Sequence, residues 1–324
     1  MENKSRAIEL MNEYGKNKIP FLFIIDFEME NPHVIKLAEV DANKILYNVN
    51  EAKNYNRELT TTKELSFKKL PPSYDEYSHA FKIVMNHIQA GNTYLCNLTF
   101  PTGIEINFSL LELFYASREK YKLYYDDQFI VFSPECFVKI ENGKIYSFPM
   151  KGTIDASIPN AKEIILRDEK ELAEHTTIVD LIRNDLSMVS SNVALEEFRY
   201  VEEITTNQKN LLQVSSKICG ELPESFPSQI GDIIFSLLPA GSISGAPKKR
   251  TVEIIKDAEN YKRGFYTGIF GLFDGNNLDS AVMIRFIEKV GNQYYFKSGG
   301  GITFLSDPSS EYNELIDKVY APII

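Results

Sequence analysis

Two residues carry most of the chemistry this sequence offers: Lys151, in Phe148-Pro149-Met150-Lys151-Gly152-Thr153, and Glu135, in Ser133-Pro134-Glu135. A lysine pinned between a proline and a glycine aims its amine more narrowly than one whose stem lies along a surface helix. Desolvated, such an amine acts as a nucleophile, a base or an anion clamp; solvated, it is an ordinary loop lysine. Asn142-Gly143 is a strong signal for a two-residue type I′ hairpin turn, and counting outward from it sets Glu135 opposite Met150, beside Lys151. Pro134 and Pro149 mark that end of both strands. The pair supports two readings: a cross-strand salt bridge worth about 0.2–1 kcal/mol, or an acid next to a nucleophile. An unperturbed lysine, with a pKa near ~10.4, is less than about 0.1% neutral at pH 7. The second reading therefore requires burial or a cationic neighbour.

Further carboxylates stand at helical spacing. Glu174 lies four residues before Ile178 and seven before Leu181, which puts it on an apolar helix face where a carboxylate needs a cation or a hydrogen-bond donor. Asp307-Pro308 reads as an N-cap followed by proline at the first helical position. Glu311, Glu314 and Lys318 then share one side of that helix, either as an exposed face with an i,i+4 ion pair or as part of a ligand site. The segment before it, Lys297-Ser298-Gly299-Gly300-Gly301, favours the ligand site, because side-chain-free backbone lets N–H groups approach an anion. Glutamate oxygens without nitrogen or sulfur donors suit Mg²⁺.

The run Gly241-Ser242-Ile243-Ser244-Gly245-Ala246-Pro247-Lys248 opens a helix expected from Pro247, and a helix start with Gly and Ser donors suits an anion. It lacks the Gly-Lys-Ser/Thr of a P-loop, and no dinucleotide fingerprint opens a βαβ unit; a small carboxylate fits better than a nucleotide. Arg285, expected mid-strand among apolar residues, is either paired structurally or clamps a carboxylate.

These groups need a scaffold. Strands are expected at Pro20–Asp26, Gln128–Ser133, Phe137–Ile140, Lys144–Phe148, Phe265–Phe273, Ser280–Glu288 and Gln293–Lys297, several joined by short turns and hence antiparallel. Helices are expected at Ser73–Ala90, Ser109–Lys120, Ala161–Val189, Pro227–Leu238, Pro247–Asn260 and Pro308–Val319. Without a regular βαβ beat, the class is α+β, with antiparallel sheets covered by helices. No repeat or linker divides the 324 residues, so one domain, 1–324, is expected. A net charge of −10 argues against nucleic acid or an anionic membrane as partner. Three widely spaced cysteines, Cys96, Cys136 and Cys219, make neither a disulfide framework nor a zinc set. With no secretory signal in the polar start and no apolar run of membrane-spanning length, a cytoplasmic location is expected.

Taken together, the motifs resemble the chorismate-utilising enzymes from about Tyr74 to Lys318. They are Ser133-Pro134-Glu135, Pro149-Met150-Lys151-Gly152-Thr153, Glu174-His175 through Arg183-Asn184-Asp185, Gly241 to Lys248, Tyr266-Thr267-Gly268, Ile284-Arg285, Gly299-Gly300-Gly301-Ile302 and Glu311 to Lys318. The resemblance implies two packed antiparallel sheets flanked by helices, a core over 74–320 with a shortened part over 1–73, and Mg²⁺ in the site. Lysine at 151 resembles component I of aminodeoxychorismate synthases, where anthranilate synthases carry alanine. On that likeness, Lys151 attacks chorismate at C2 and Glu135 protonates the departing 4-hydroxyl. Ammonia then adds at C4 and expels the lysine. Glu174 and Glu314, with Glu311 nearby, would hold Mg²⁺ against the ring carboxylate. Gly299, Gly300, Gly301 and Lys318 would receive that carboxylate, and Arg285 and Tyr266 the enolpyruvyl group. Gly152, Thr153, Ser242, Ser244 and Gly245 would complete the substrate site. Leu95 stands where isochorismate-forming relatives carry a water-activating lysine, which argues against that chemistry. It also departs from the glutamine of aminating relatives, as Cys136 departs from a frequent arginine. No glutaminase motif is visible, so a separate amidotransferase subunit would supply ammonia. The alternatives are anthranilate synthase component I and a non-catalytic dicarboxylate- or metal-binding module.

Overall fold

The computed structural model describes residues 2–57, 63–205 and 210–321. Two antiparallel sheets form the frame. The first runs, in spatial order, Met150–Asp155, Asn210–Glu221, Lys144–Ser147, Cys136–Glu141, Leu278–Val282, Ile269–Phe273, Phe21–Ile25 and His33–Lys36, with Ser191–Thr205 also paired to Asn210–Glu221. The second runs Gly245–Ala246, Leu95–Ile106, Gln293–Ile302, Phe286–Val290, Phe129–Ser133, Tyr121–Tyr125, Ile45–Val49 and Ala52–Lys53, with Phe67–Leu70 on Leu95–Ile106.

Strand alternation explains how the layers stack. In Phe21–Ile25 every residue is buried, because each face meets a different core. Leu22 and Ile24 point between the sheets, onto Leu123, Val131, Phe270 and Phe286. Phe21, Phe23 and Ile25 point to the helical side, with Val84, Ile234 and Ile255. The outer face of the second sheet is covered by the Leu110–Ala116 helix through Leu110, Leu113 and Phe114. Burying three such layers is the main favourable term in folding. The expected α+β class with two packed sheets is the architecture found. Among the described residues, no helix is long and apolar enough to cross a membrane.

Several expected elements differ. Ala161–Val189 is two helices, Ala161–Arg167 and Glu169–Ser187, because Asp168 leaves helical geometry and caps the second through the Glu171 N–H. The expected strand Ser280–Glu288 is two strands in different sheets. The chain crosses between layers at 283–285, where Arg285 takes φ +50, so Arg285 sits at a sheet crossing and not mid-strand. Phe265–Thr267 form a turn ahead of Ile269–Phe273, whereas the strand from Gln293 runs on through the three glycines to Ile302. The helix expected from Pro247 starts at Lys248, and Gly241–Ser244 form a separate helical turn.

Candidate active site

The Asn142-Gly143 hairpin has the expected register, with Lys144 opposite Glu141, Ile145 opposite Ile140 and Tyr146 opposite Lys139. Beyond Ser147 the strands part. Met150–Asp155 leaves its hairpin partner and pairs with Asn210–Glu221 instead, so Glu135 does not face Met150 across a ladder. Glu135 lies in the link between Phe129–Ser133 and Cys136–Glu141, where its N–H bonds Ser133 Oγ at 3.1 Å. Lys151 and Glu135 nevertheless both line one cavity of about 560 Å³, a normal size for a small-molecule site. The amine's ion-pair partner is Glu174, with Nζ–Oε2 at 2.8 Å.

The environments of the two groups differ. Burial pushes the Lys151 amine down, but Glu174, Glu171 and Glu314 together outweigh it and hold its pKa above the ordinary lysine value. Burial raises the Glu135 carboxyl, and the hydrogen bond it accepts from the Ser242 hydroxyl partly offsets this. An acid held toward its protonated form in the wall of a cavity that also holds an amine suits proton donation to a leaving group. Glu135→Gln is expected to lower kcat about 10²-fold with little change in KM, because the amide oxygen still accepts from Ser242. In Ser242→Ala the carboxyl loses the bond that lowers its pKa, so the alkaline limb of the rate profile should move to higher pH. Steady-state rates across pH check both.

Around this pair the cavity wall takes Ser242, Ser244, Gly245, Tyr266, Arg285, Gly299, Gly300, Gly301 and Lys318, as well as Glu174. Their roles in the resting fold vary. Ser244 donates to Ala240 O at 2.8 Å. Gly245, at φ +132, pairs with Cys96, and a Cβ there would stand 1.9 Å from Leu95 O, so only glycine fits. Arg285 pairs with Glu119 at 3.0 Å and lies over Tyr320, and Lys318 pairs with Glu314 at 2.7 Å and donates to Gly299 O at 2.9 Å. Gly152 and Thr153 are outside the wall. Gly152 forms a bulge at φ +89, and Thr153 is exposed and pairs with Gln213.

Glu311 and Glu314 reach the site edge, since a Cβ on Gly300 would stand 3.4 Å from Glu311 Oε2 and 3.9 Å from Glu314 Oε1. Glu174 stands with Lys151. Among the described residues, no three His, Cys, Asp or Glu side chains form a ready metal cluster. The oxygen-only donors fit a hard cation that completes its shell from substrate and water.

The sequence pattern did not single out Lys297 and Asn97, which also stand in the wall. Lys297 is buried, pairs with Glu288 at 2.7 Å and donates to Arg263 O at 3.1 Å. Its signal was a lysine in an otherwise apolar and glycine strand end. His175, next to Glu174, is fully buried, with Nε2 2.7 Å from Ser216 Oγ. Burial, helped by the Arg199 charge, lowers its pKa to about 4. An unfolded histidine takes up a proton near pH ~6.5, which the folded one refuses until lower pH. Stability should therefore be full above about pH 6.5 and fall as pH drops toward 4, by on the order of 2 kcal/mol between pH 7 and 5. Urea melts at both pH values check this; His175→Gln should flatten the difference.

A family model described as chorismate binding enzyme matches residues 21–323. The chain belongs to the chorismate-binding enzyme family. It is 50% identical over 319 residues to an uncharacterized PabA-like protein of Haemophilus influenzae, covering 98% of this chain and 96% of that protein. It is 32% identical to aminodeoxychorismate synthase component 1 of Bacillus subtilis, over 78% of this chain and 55% of that longer protein. The solved structure of the menaquinone-specific isochorismate synthase of Escherichia coli superposes with a TM-score of 0.73 at 15% identity, over 98% of this chain and 80% of that one. That likeness is one of fold.

Proposed function

We propose that this chorismate-binding family member is component I of an aminodeoxychorismate synthase, a single catalytic domain acting in the cytoplasm on chorismate and ammonia. The observation that supports this most is Lys151 facing the same cavity as a carboxyl with a raised pKa, Glu135. The amine attacks C2 of chorismate, the two conjugated ring double bonds shift from C1=C2 and C5=C6 to C1=C6 and C4=C5, and the C4–O bond breaks. Glu135 gives its proton to that oxygen, which leaves as water. Ammonia then attacks C4, both double bonds shift back and the C2–N bond to Lys151 breaks, leaving 4-amino-4-deoxychorismate. The resting amine is protonated because Glu174 pairs with it; when Glu174 is engaged elsewhere, burial lowers the amine's pKa against only the more distant Glu171 and Glu314 charges. Glu174, Glu311 and Glu314 would hold Mg²⁺, which when bound would neutralise the substrate carboxylate. Gly299 to Gly301 and Lys318 offer that carboxylate backbone and a cation, and Arg285 and Tyr266 face the enolpyruvyl side. A separate amidotransferase subunit would deliver ammonia from glutamine.

The test is purified protein with chorismate, ammonium and Mg²⁺, with products identified by chromatography and mass. Aminodeoxychorismate as main product, and an intact-protein adduct of chorismate less water when ammonium is withheld, are expected. Anthranilate as main product, which requires loss of pyruvate, would overturn the assignment. Binding without turnover or adduct would mark a non-catalytic module.

A further inference from the structure

Lys151 is not held by its own strand. Met150 pairs with Ser215 and Thr153 with Gln213, and the register slips between them, so Lys151 and Gly152 lie in a bulge without ladder partners. An unconstrained bulge would let a long side chain sample many directions. A closed circuit of contacts supplies the missing restraint. Lys151 Nζ meets Glu174 Oε2 at 2.8 Å. The next residue on that helix, His175, sets Nε2 2.7 Å from Ser216 Oγ. The Ser216 N–H donates to Pro149 O at 3.0 Å, and Pro149 is two residues from Lys151. Two side-chain contacts, one backbone bond and three short covalent spans thus tie the helix, the neighbouring strand and the bulge together.

We infer that His175 and Ser216 are positioning residues that fix the Lys151 bulge against Glu174 and so hold the amine in the cavity. The serine hydroxyl is oriented for this. It accepts from the Arg199 N–H at 2.9 Å, which leaves its own proton and a second lone pair for His175 Nε2. Arg199 is anchored in turn, its guanidinium donating to Ile165 O and Leu166 O. His175 and Ser216 are both fully buried, and Phe198 meets the imidazole edge-on at 5.9 Å, so the ring cannot swing away. Nδ1 makes no bond of good geometry, so the ring's hydrogen-bonded contact is the one to Ser216.

The experiment compares His175→Asn, His175→Gln and Ser216→Ala with wild type. Asparagine and glutamine are alike in polarity, but only glutamine carries its amide out to the imidazole Nε2 position, where its oxygen can accept or its nitrogen donate to Ser216 Oγ, so their difference isolates the contact from general disruption. The first readout is reductive methylation of Lys151, followed by peptide mass spectrometry and normalised to exposed Lys68. His175→Asn and Ser216→Ala should label about threefold faster or more, His175→Gln at near the wild-type rate, and Ser216→Ala should add little to His175→Asn. Equal labelling in all variants overturns the inference, whatever product the protein makes. The second readout rests on the proposed function: kcat should fall about tenfold in His175→Asn and Ser216→Ala with KM little changed, since small misplacement of a reacting group is costly, and glutamine should restore it. A fall that glutamine does not repair also overturns the inference. Because labelling needs no turnover, a wrong product assignment leaves the labelling test of His175 and Ser216 intact.

Discussion

Replacing Lys151 by alanine should lower aminodeoxychorismate formation by about 10³-fold or more, roughly 4 kcal/mol of transition-state stabilisation. The loss should fall on kcat. On the proposed function, substrate anions would have other partners in the wall, Lys318 and Arg285, whereas no other described side chain is expected to form the bond to C2. Lys151→Arg separates the amine's two possible roles. Arginine keeps the positive charge and can pair with Glu174, but it does not deprotonate and so cannot act as the nucleophile. If Lys151 were only an anion clamp, the arginine variant would retain most of the rate; as a nucleophile, both variants should be equally inactive and free of the covalent adduct. Initial rates at saturating chorismate, with intact-protein mass, read the outcome. Near-wild-type turnover in Lys151→Ala would remove the covalent route altogether.

The site was legible in the sequence where local rules govern and illegible where distant pairing does. The Asn142-Gly143 turn gave three ladder pairs correctly, and the 3.6-residue period put Glu174 on the face that meets the cavity. Yet the partner expected for Lys151 was wrong in detail. The sequence could not show that Asn210–Glu221 inserts beside both Lys144–Ser147 and Met150–Asp155, which carries Lys151 to Glu174. Arg285 failed for a related reason. Its apolar run has no break in pattern, because the strands on both sides end in buried apolar residues, and the positive φ marks the crossing. Glu311, Glu314 and Lys318 satisfied both readings of their helix face. The i,i+4 pair exists, and the same lysine reaches back to the glycine strand.

The cavity wall also depends on a buried ion pair that looks like an ordinary i,i+4 surface pair in sequence. Arg263 and Glu259 are each about 1% exposed at the side chain. Arg263 makes two bonds to Glu259, at 2.6 and 2.9 Å, and further ones to Ile243 O at 2.9 Å and Asn97 O at 2.7 Å. Glu259 accepts in addition from the Thr99 N–H and hydroxyl, both at 2.9 Å. One guanidinium therefore joins the end of the Lys248–Ala258 helix to the Leu95–Ile106 strand and the Gly241–Ser244 turn, the last two of which border the cavity. Arg263→Met should destabilise by about 3–5 kcal/mol, because it strands a carboxylate in the interior. Arg263→Met with Glu259→Leu should cost less than the two single changes summed, since no bare charge remains. It should not return to wild type, because the Ile243 and Asn97 carbonyls still lack donors, at about 1–3 kcal/mol each if left unsatisfied. Urea denaturation at pH 7 measures all three, and a cost below about 1 kcal/mol for Arg263→Met would show the pair to be dispensable. Arg263→Lys keeps the charge but not the fork that reaches both carbonyls. Ile243 and Asn97 line the cavity, while Lys151 comes from the Met150–Asp155 strand and Glu135 from the link before Cys136–Glu141. The lysine variant should therefore raise KM for chorismate and leave kcat near wild type, separating the wall that binds the ring from the pair that transforms it.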